Sequence, residues 1–353
     1  MSRRRDLDED DVRVRPGRGK SRPRSKERPK HDEAQPAVVT AVDRGRFTVV
    51  LGSYDEPGQS IYAVKARELG RKGVVVGDRV ALVGDTSGRT DALARVVRVE
   101  PRVSVLRRSA DDDDPVERVL VANADQLVVV TALADPEPRP RMIDRCLVAA
   151  YDAGLDPLLI LTKSDLAPAE PLLAQYGALD VPFLVTRRDG TEPVDVEHVL
   201  ALLRGRVSVL VGHSGVGKST LVNALVPDAF RATGVVNAVT GRGRHTSTSA
   251  VALPLPDGGW VVDTPGVRSF GLAHVDPQRV IHAFPDLEAG TDDCPRSCTH
   301  DEEECALDAW VAEGHAGSGG VARLESLRRL LRSRSAGEDT SPGEDVAADE
   351  GLA

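Results

Sequence analysis

Ser208-Val209-Leu210-Val211-Gly212-His213-Ser214-Gly215-Val216-Gly217-Lys218-Ser219-Thr220 is the stretch from which the rest of the chain is read. An apolar run suited to a buried strand gives way to a glycine-rich turn, and the turn enters an amphipathic helix opened by Gly217 and Lys218. Glycines let backbone N–H groups close around phosphate oxygens with no Cβ in the way, and the helix N-terminus adds its positive end. Lys218 is placed for the β- and γ-phosphates and the Ser219 hydroxyl for Mg²⁺. Residues Gly212 to Thr220 are therefore the expected phosphate loop.

Upstream of this loop, apolar runs at Gln126–Thr131, Pro157–Leu161 and Pro182–Val185 alternate with helical periodicity at Arg141–Tyr151 and near Val194–Leu203. Strands alternating with helices imply a parallel sheet in an α/β domain. Downstream, Ala250–Leu255 and Gly259–Asp263 read as a strand pair. Asp263-Thr264-Pro265-Gly266 ends that pair, where a carboxylate reaches the Mg²⁺ shell and the Gly266 N–H meets the γ-phosphate.

The base is chosen elsewhere. Thr162-Lys163-Ser164-Asp165 ends the Pro157–Leu161 strand. A carboxylate there accepts from the N1 and N2 donors of guanine, which adenine does not offer, and a wrong base leaves a buried charge unpaired. This guanine motif precedes the phosphate loop, the reverse of the usual GTPase order. A sheet assembles in space, so relinking old termini and cutting elsewhere preserves the site. The order predicts a circularly permuted GTPase whose phosphate-side segment leads directly into a C-terminal domain.

Between Ala37 and Ser104 five short β-branched runs (Ala37–Val42, Phe47–Leu51, Ile61–Val64, Arg79–Val83 and Ala94–Val99) are separated by turn signals. They suggest a small barrel, an oligonucleotide-binding fold first and an SH3-like one second. With few aromatics for base stacking, RNA binding there would rest on phosphate and shape contacts.

Near the other end, Cys294, Cys298, His300 and Cys305 cluster within twelve residues, and thiolates with an imidazole at this density suit a closed, structural Zn²⁺ site. Asp301 and Glu302 to Glu304 read as a solvated acidic face, Cys146 as a core thiol, and Val321–Arg332 as a basic amphipathic helix.

The 353 residues suffice for two or three domains, and 41% hydrophobic content suffices for their cores. No apolar run follows Met1 and none elsewhere reaches bilayer length, so the expectation is a cytoplasmic protein with no membrane association. The net charge of −9 is unevenly spread: Val12 to Lys30 carries nine Arg and Lys against Glu27 alone, while acids gather after Gly337. Both ends read as disordered tails, the first either solubilising or RNA-tethering.

Taken together, Ala122-Asn123-Ala124-Asp125, Ile143-Asp144-Arg145, Thr162–Asp165, Gly212–Thr220, Gly243-Arg244-His245-Thr246-Ser247-Thr248, Asp263–Gly266 with Arg268 and Phe270, and the Cys/His loop resemble the ribosome small-subunit-dependent GTPase A family. The resemblance covers about Ala37 to Leu331 and implies a multidomain protein. It would comprise an N-terminal OB-fold β-barrel (37–110), a central α/β P-loop GTPase domain with circular permutation (111–271) and a C-terminal α-helical zinc-binding domain (272–334). Tails at 1–36 and 335–353 lie outside it. It also implies binding to the 30S subunit and its 16S rRNA late in maturation, with the ribosome stimulating hydrolysis; a monomer is the simplest state.

In this chain Thr162 stands where the family usually has Asn, and the metal loop is shorter than is common there. Val267, where small GTPases commonly have a water-positioning glutamine, cannot orient water. His245 is therefore the candidate catalytic residue, a role the resemblance also implies, and one hydroxyl of Thr246, Ser247 or Thr248 is expected to ligate Mg²⁺ beside Ser219 and Asp263. Three competing readings are a P-loop ATPase or kinase, an RNA-binding assembly factor using GTP as a structural ligand, and a permuted GTPase acting on the large subunit.

Overall fold

In the computed structural model, which describes residues 31–70, 73–89, 92–108, 118–187, 196–226, 250–265, 270, 272 and 275–333, the chain begins with a barrel. Strands β1 (Gln35–Asp43), β2 (Arg46–Gly52), β3 (Pro57–Lys65), β4 (Arg79–Gly84) and β5 (Ala94–Val99) pair in the order β1-β2-β3-β5-β4, and β4 returns to β1. All pairs are antiparallel except β3–β5. Alternate side chains (Ala37, Val39; Phe47, Val49; Ile61, Ala63; Val80, Leu82; Ala94, Val96) fill the interior, as a period of two requires. The closed five-stranded barrel, with β3 and β5 parallel, is the expected oligonucleotide-binding fold.

A hairpin not anticipated from the sequence, β6 (Val105–Arg108) with β7 (Arg118–Ala122), leads to the second layer. There β8 (Gln126–Ala132), β9 (Asp156–Thr162), β10 (Phe183–Val185), β11 (Val207–Val211), β12 (Val251–Pro254) and β13 (Trp260–Asp263) form a sheet ordered β10-β9-β8-β11-β13-β12. It is parallel except at β12. Both faces are covered, so β8 reads as continuously apolar. Leu127 and Val129 face α1 (Pro140–Ala153), while Val128 and Val130 face α3 (Val196–Leu203) and α4 (Lys218–Leu225). A short α2 (Glu170–Leu173) follows β9.

Barrel and sheet are continuous, because Ala41 of β1 pairs with Val251 of β12. The seam is tightened where the Asn123 side chain donates to Gly77 O at 2.8 Å and Ala122 N to Val76 O at 2.9 Å. Gly77 has φ +88°, and a Cβ there would stand 1.8 Å from Ala122 O, so only glycine fits. Asp125 closes the opposite side: its carboxylate accepts from Val207 N at 2.8 Å.

The C-terminal module contains α5 (Pro277–Ile281), α6 (Pro285–Glu288), α7 (Ala306–Ala312) and α8 (Gly320–Ser333). It docks on α1, whose start is set by Pro140 at its first turn and whose end is closed by Gly154 in the left-handed conformation. Residues Met142 to Ala150 are all buried, because α1 has the sheet on one side and α8 on the other. Leu147, Phe270, Phe284, Leu327 and Leu330 accordingly belong to one apolar cluster.

Candidate functional site

The carboxyl ends of β8, β9, β11 and β13 lie together on one edge, the place where open α/β sheets receive ligands. The Gly212–Thr220 loop follows β11 and enters α4 at Lys218. Gly212 sits against β8 so closely that a Cβ would come 2.4 Å from Val130 O. Gly212 and Val216 are buried, His213, Gly217 and Lys218 half-buried, and Ser214, Gly215, Ser219 and Thr220 exposed. The Lys218 ammonium pairs with the carboxylate of half-buried Asp263 at the end of β13. Thr264, beside it, donates to Leu210 O at 2.6 Å, fastening the β13 exit to the root of the loop.

Thr162 to Asp165 leave β9 on the adjacent side. The Thr162 hydroxyl donates to Val216 O at 2.6 Å, so this turn and the phosphate loop are bonded to each other. That contact explains how threonine serves at this position: its hydroxyl reaches the loop carbonyl without an amide. Lys163, buried with φ +61°, donates to Asp135 O in the loop after β8. Ser164 N donates to Thr186 O at 3.1 Å, and Thr186 N to Leu161 O at 2.7 Å. Asp165 is exposed at the lip.

Thr186 and Asp135 thus support the turn although the sequence reading did not single them out. The signal for Thr186 was available, since it directly follows the Pro182–Val185 strand beside β9. Asp135 contributes only a carbonyl, which no side-chain pattern reveals. His245, Thr246, Ser247, Thr248 and Gly266 lie outside the described residues.

The second constellation is Cys294, Cys298, His300 and Cys305, whose ligand atoms all lie within 4.8 Å of one another. Cys294 Sγ is 3.8 Å from His300 Nδ1 and 4.0 Å from Cys305 Sγ, and Cys305 Sγ is 4.0 Å from the same nitrogen. A tetrahedral zinc with Zn–S bonds of about 2.3 Å needs sulfur–sulfur edges of about 3.8 Å, so the four side chains fit that ion. His300 Nε2, the ring nitrogen facing away, lies 3.3 Å from the Gln278 amide, a partner that orients the imidazole.

Burial pushes the Cys298 thiol up to about 12 and raises Cys305, and it holds His300 below its ordinary value. Such thiols give up protons when a cation offsets the charge. Of the acids expected to be solvated, Asp301 pairs with Arg332 at 2.6 Å. Glu302 accepts from the Thr299 backbone and hydroxyl, which hold its carboxyl at about 2. They fold the loop back on itself.

The basic helix α8 is also spent internally. Arg323 bonds Asp286 and Ala178 O, Arg328 bonds Asp308 and His300 O, and Arg329 bonds Gln175 O. Its amphipathic pattern is a clamp between the metal loop and the sheet domain. Cys146 is a core thiol, fully enclosed in α1 and raised to about 12 by burial.

The RsgA GTPase model matches residues 99–273. The small ribosomal subunit biogenesis GTPase RsgA of Chlorobaculum parvum is 36% identical over 315 residues, which cover 86% of this chain and 99% of that one. The chain belongs to the RsgA GTPase family. Its members are hydrolases acting on GTP. The small ribosomal subunit biogenesis GTPase RsgA of Marinobacter nauticus is 38% identical over 267 residues, 73% of each chain. Among solved structures, YjeQ from Thermotoga maritima matches with a TM-score of 0.60 at 26% identity, covering 85% of this chain and 98% of that one. YloQ, described as a circularly permuted GTPase, shares the fold at 20% identity and a TM-score of 0.59, covering 90% and 100%. The order of motifs in this RsgA family member is therefore a genuine permutation. Among the described residues no helix is long and apolar enough to cross a membrane.

Proposed function

We propose that this protein hydrolyses GTP to GDP and phosphate during late maturation of the small (30S) ribosomal subunit, in the cytoplasm, and that this subunit stimulates the reaction. The observation that carries the nucleotide reading is the Thr162–Val216 hydrogen bond, which ties a base-reading carboxylate to a phosphate cradle. The small subunit is supported by the relatives, which are named as small ribosomal subunit biogenesis GTPases.

In this reading Asp165 accepts from guanine N1 and N2, flanked by Thr162, Lys163 and Ser164. Gly212 to Thr220 enclose the phosphates, with the Gly266 N–H on the γ-phosphate. Lys218 passes from Asp263 to the β- and γ-phosphate oxygens when GTP enters. Ser219 and Asp263, with one hydroxyl of Thr246, Ser247 or Thr248, would hold the Mg²⁺ that arrives with GTP and neutralises phosphate charge. Val267 leaves the attacking water unoriented, so unstimulated turnover is slow, and His245 supplies the missing group when the subunit binds.

The barrel (37–110) and the Cys/His domain (272–334) flank the GTPase domain (111–271) and contact 16S rRNA. Cys294, Cys298, His300 and Cys305 would hold one structural Zn²⁺, leaving no open position for chemistry. A monomer suffices for docking on one ribosomal site.

The test is GTP turnover by the purified protein alone and with isolated small or large subunits. Stimulation by the small subunit only is expected, and His245→Ala should abolish it while sparing GDP binding. Equal, slow turnover in all conditions would leave the nucleotide site standing and remove the ribosome from it.

A further inference from the structure

In the middle of α1, the buried pair Asp144–Arg145 belongs to neither the nucleotide edge nor the metal cluster, yet two distant segments meet on it. Arg145 is 4% exposed. Its Nε and Nη2 both donate to Phe270 O, at 3.0 and 2.6 Å, and its Nη1 donates to Ser333 O at 2.7 Å. Asp144 Oδ2 lies 3.2 Å from Nε of Arg329, one helical turn before Ser333.

Phe270 is seven residues beyond Asp263, and its ring is fully buried in the cluster that contains Ile143, Phe284 and Leu327. Its carbonyl consequently takes its partner from the protein. Ser333 ends α8, and its carbonyl is one of the last-turn acceptors that a helix cannot satisfy itself. A guanidinium suits both: its rigid fork reaches two carbonyls at once, and its charge opposes the negative end of the helix dipole. Burying it is costly unless those bonds are made, so the two carbonyls are held together rather than independently.

We propose that Arg145 is a positioning residue for hydrolysis: it locks the exit of the Asp263 segment to the last turn of α8, so that moving either displaces the other. The proposal rests on the GTPase reading above but not on the ribosomal one. In GTPases the segments that meet the γ-phosphate and its Mg²⁺ are ordered by them and released on hydrolysis, and linkage makes any such effect reciprocal. Contacts on the C-terminal module would then bias the γ-phosphate side, and the nucleotide would bias the module.

Two experiments on the full-length, zinc-loaded protein test this. In the first, backbone hydrogen exchange across 327–333 is compared with GDP and with a non-hydrolysable GTP analogue bound. The wild type should show a difference of about fivefold or more, the scale of ordinary allosteric couplings. In Arg145→Gln it should collapse, with GDP affinity and zinc content unchanged. Arg145→Lys, which keeps the charge but not the fork, should fall between, and it carries the comparison should the glutamine variant fail to fold. A wild type with no nucleotide-dependent difference, or a variant that retains the full one, overturns the proposal.

In the second, turnover at saturating small subunit should drop about tenfold in kcat for Arg145→Gln with KM for GTP unchanged. A wild-type kcat there also overturns the proposal. If the wild type is itself not stimulated, the ribosomal assignment fails and the exchange comparison still decides Arg145.

Discussion

At the nucleotide edge, the candidate residues are anchored largely on backbone carbonyls: the Thr162 hydroxyl bonds one in the loop, the Lys163 ammonium another, and Gly212 lies against that of Val130. In the C-terminal module the holding is done by side chains: three thiols and an imidazole, with Arg323, Arg328 and Arg332 each paired to an aspartate. The difference follows from size. The sheet domain has two fully covered faces and a wide core, so its strand ends are rigid without help. A short helical module with an irregular loop buries too little to be rigid on its own, and small units of that kind rely on metals and cross-links.

If this contrast is sound, damage to one region should spare ligand affinity in the other, because the Arg145 link bears on the γ-phosphate side and not on GDP. The largest effect is expected from Cys305→Ser. Structural zinc is worth about 10 kcal/mol or more in small metal-folded units, so the variant should lose the metal and the structure of residues 277–333. Zinc content and far-UV circular dichroism read this directly. GDP affinity should stay within about threefold of wild type, and its loss would break the contrast.

Next comes Gly212→Ala, whose Cβ would meet Val130 O at 2.4 Å and Val216 Cγ2 at 3.2 Å. The backbone must shift, costing about 3 kcal/mol, which appears as a roughly hundredfold fall in GDP affinity with zinc content unchanged.

Arg323→Ala is smaller. It removes bonds of 2.7 and 2.9 Å to Asp286 and one of 2.9 Å to Ala178 O, and should cost about 2 kcal/mol in urea unfolding without changing nucleotide affinity. Thr162→Val is the finest probe: loss of the 2.6 Å bond to Val216 O should weaken GDP by about fivefold, near 1 kcal/mol. Thr162→Asn should bind as the wild type does; if it binds far more tightly, threonine is a compromise rather than an equivalent.

Local chemistry was readable from the chain because it depends on neighbours in sequence. A phosphate loop needs consecutive glycines before a helix, a zinc loop needs closely spaced thiols, and a barrel needs period-two apolar runs. Each of these was visible, and so was the permutation, which is an order of motifs. The β6–β7 hairpin escaped notice because four- and five-residue strands flanking an acidic run carry too little periodicity. The arginines of α8 looked like a basic surface because composition does not say where a charge finds its partner.

Read without coordinates, then, the chain announces a phosphate loop, a Cys/His cluster that could hold a metal, and the permuted order of its motifs. Only the tertiary structure decides that β1 continues the β12 edge, that Asn123 seals the seam at Gly77, that Asp135 braces the Thr162–Asp165 turn, and that Arg145 joins Phe270 to Ser333. Most of these contacts end on a backbone carbonyl, which every residue possesses, so no residue type announces them. They arise when packing brings distant segments together and leaves one donor in reach.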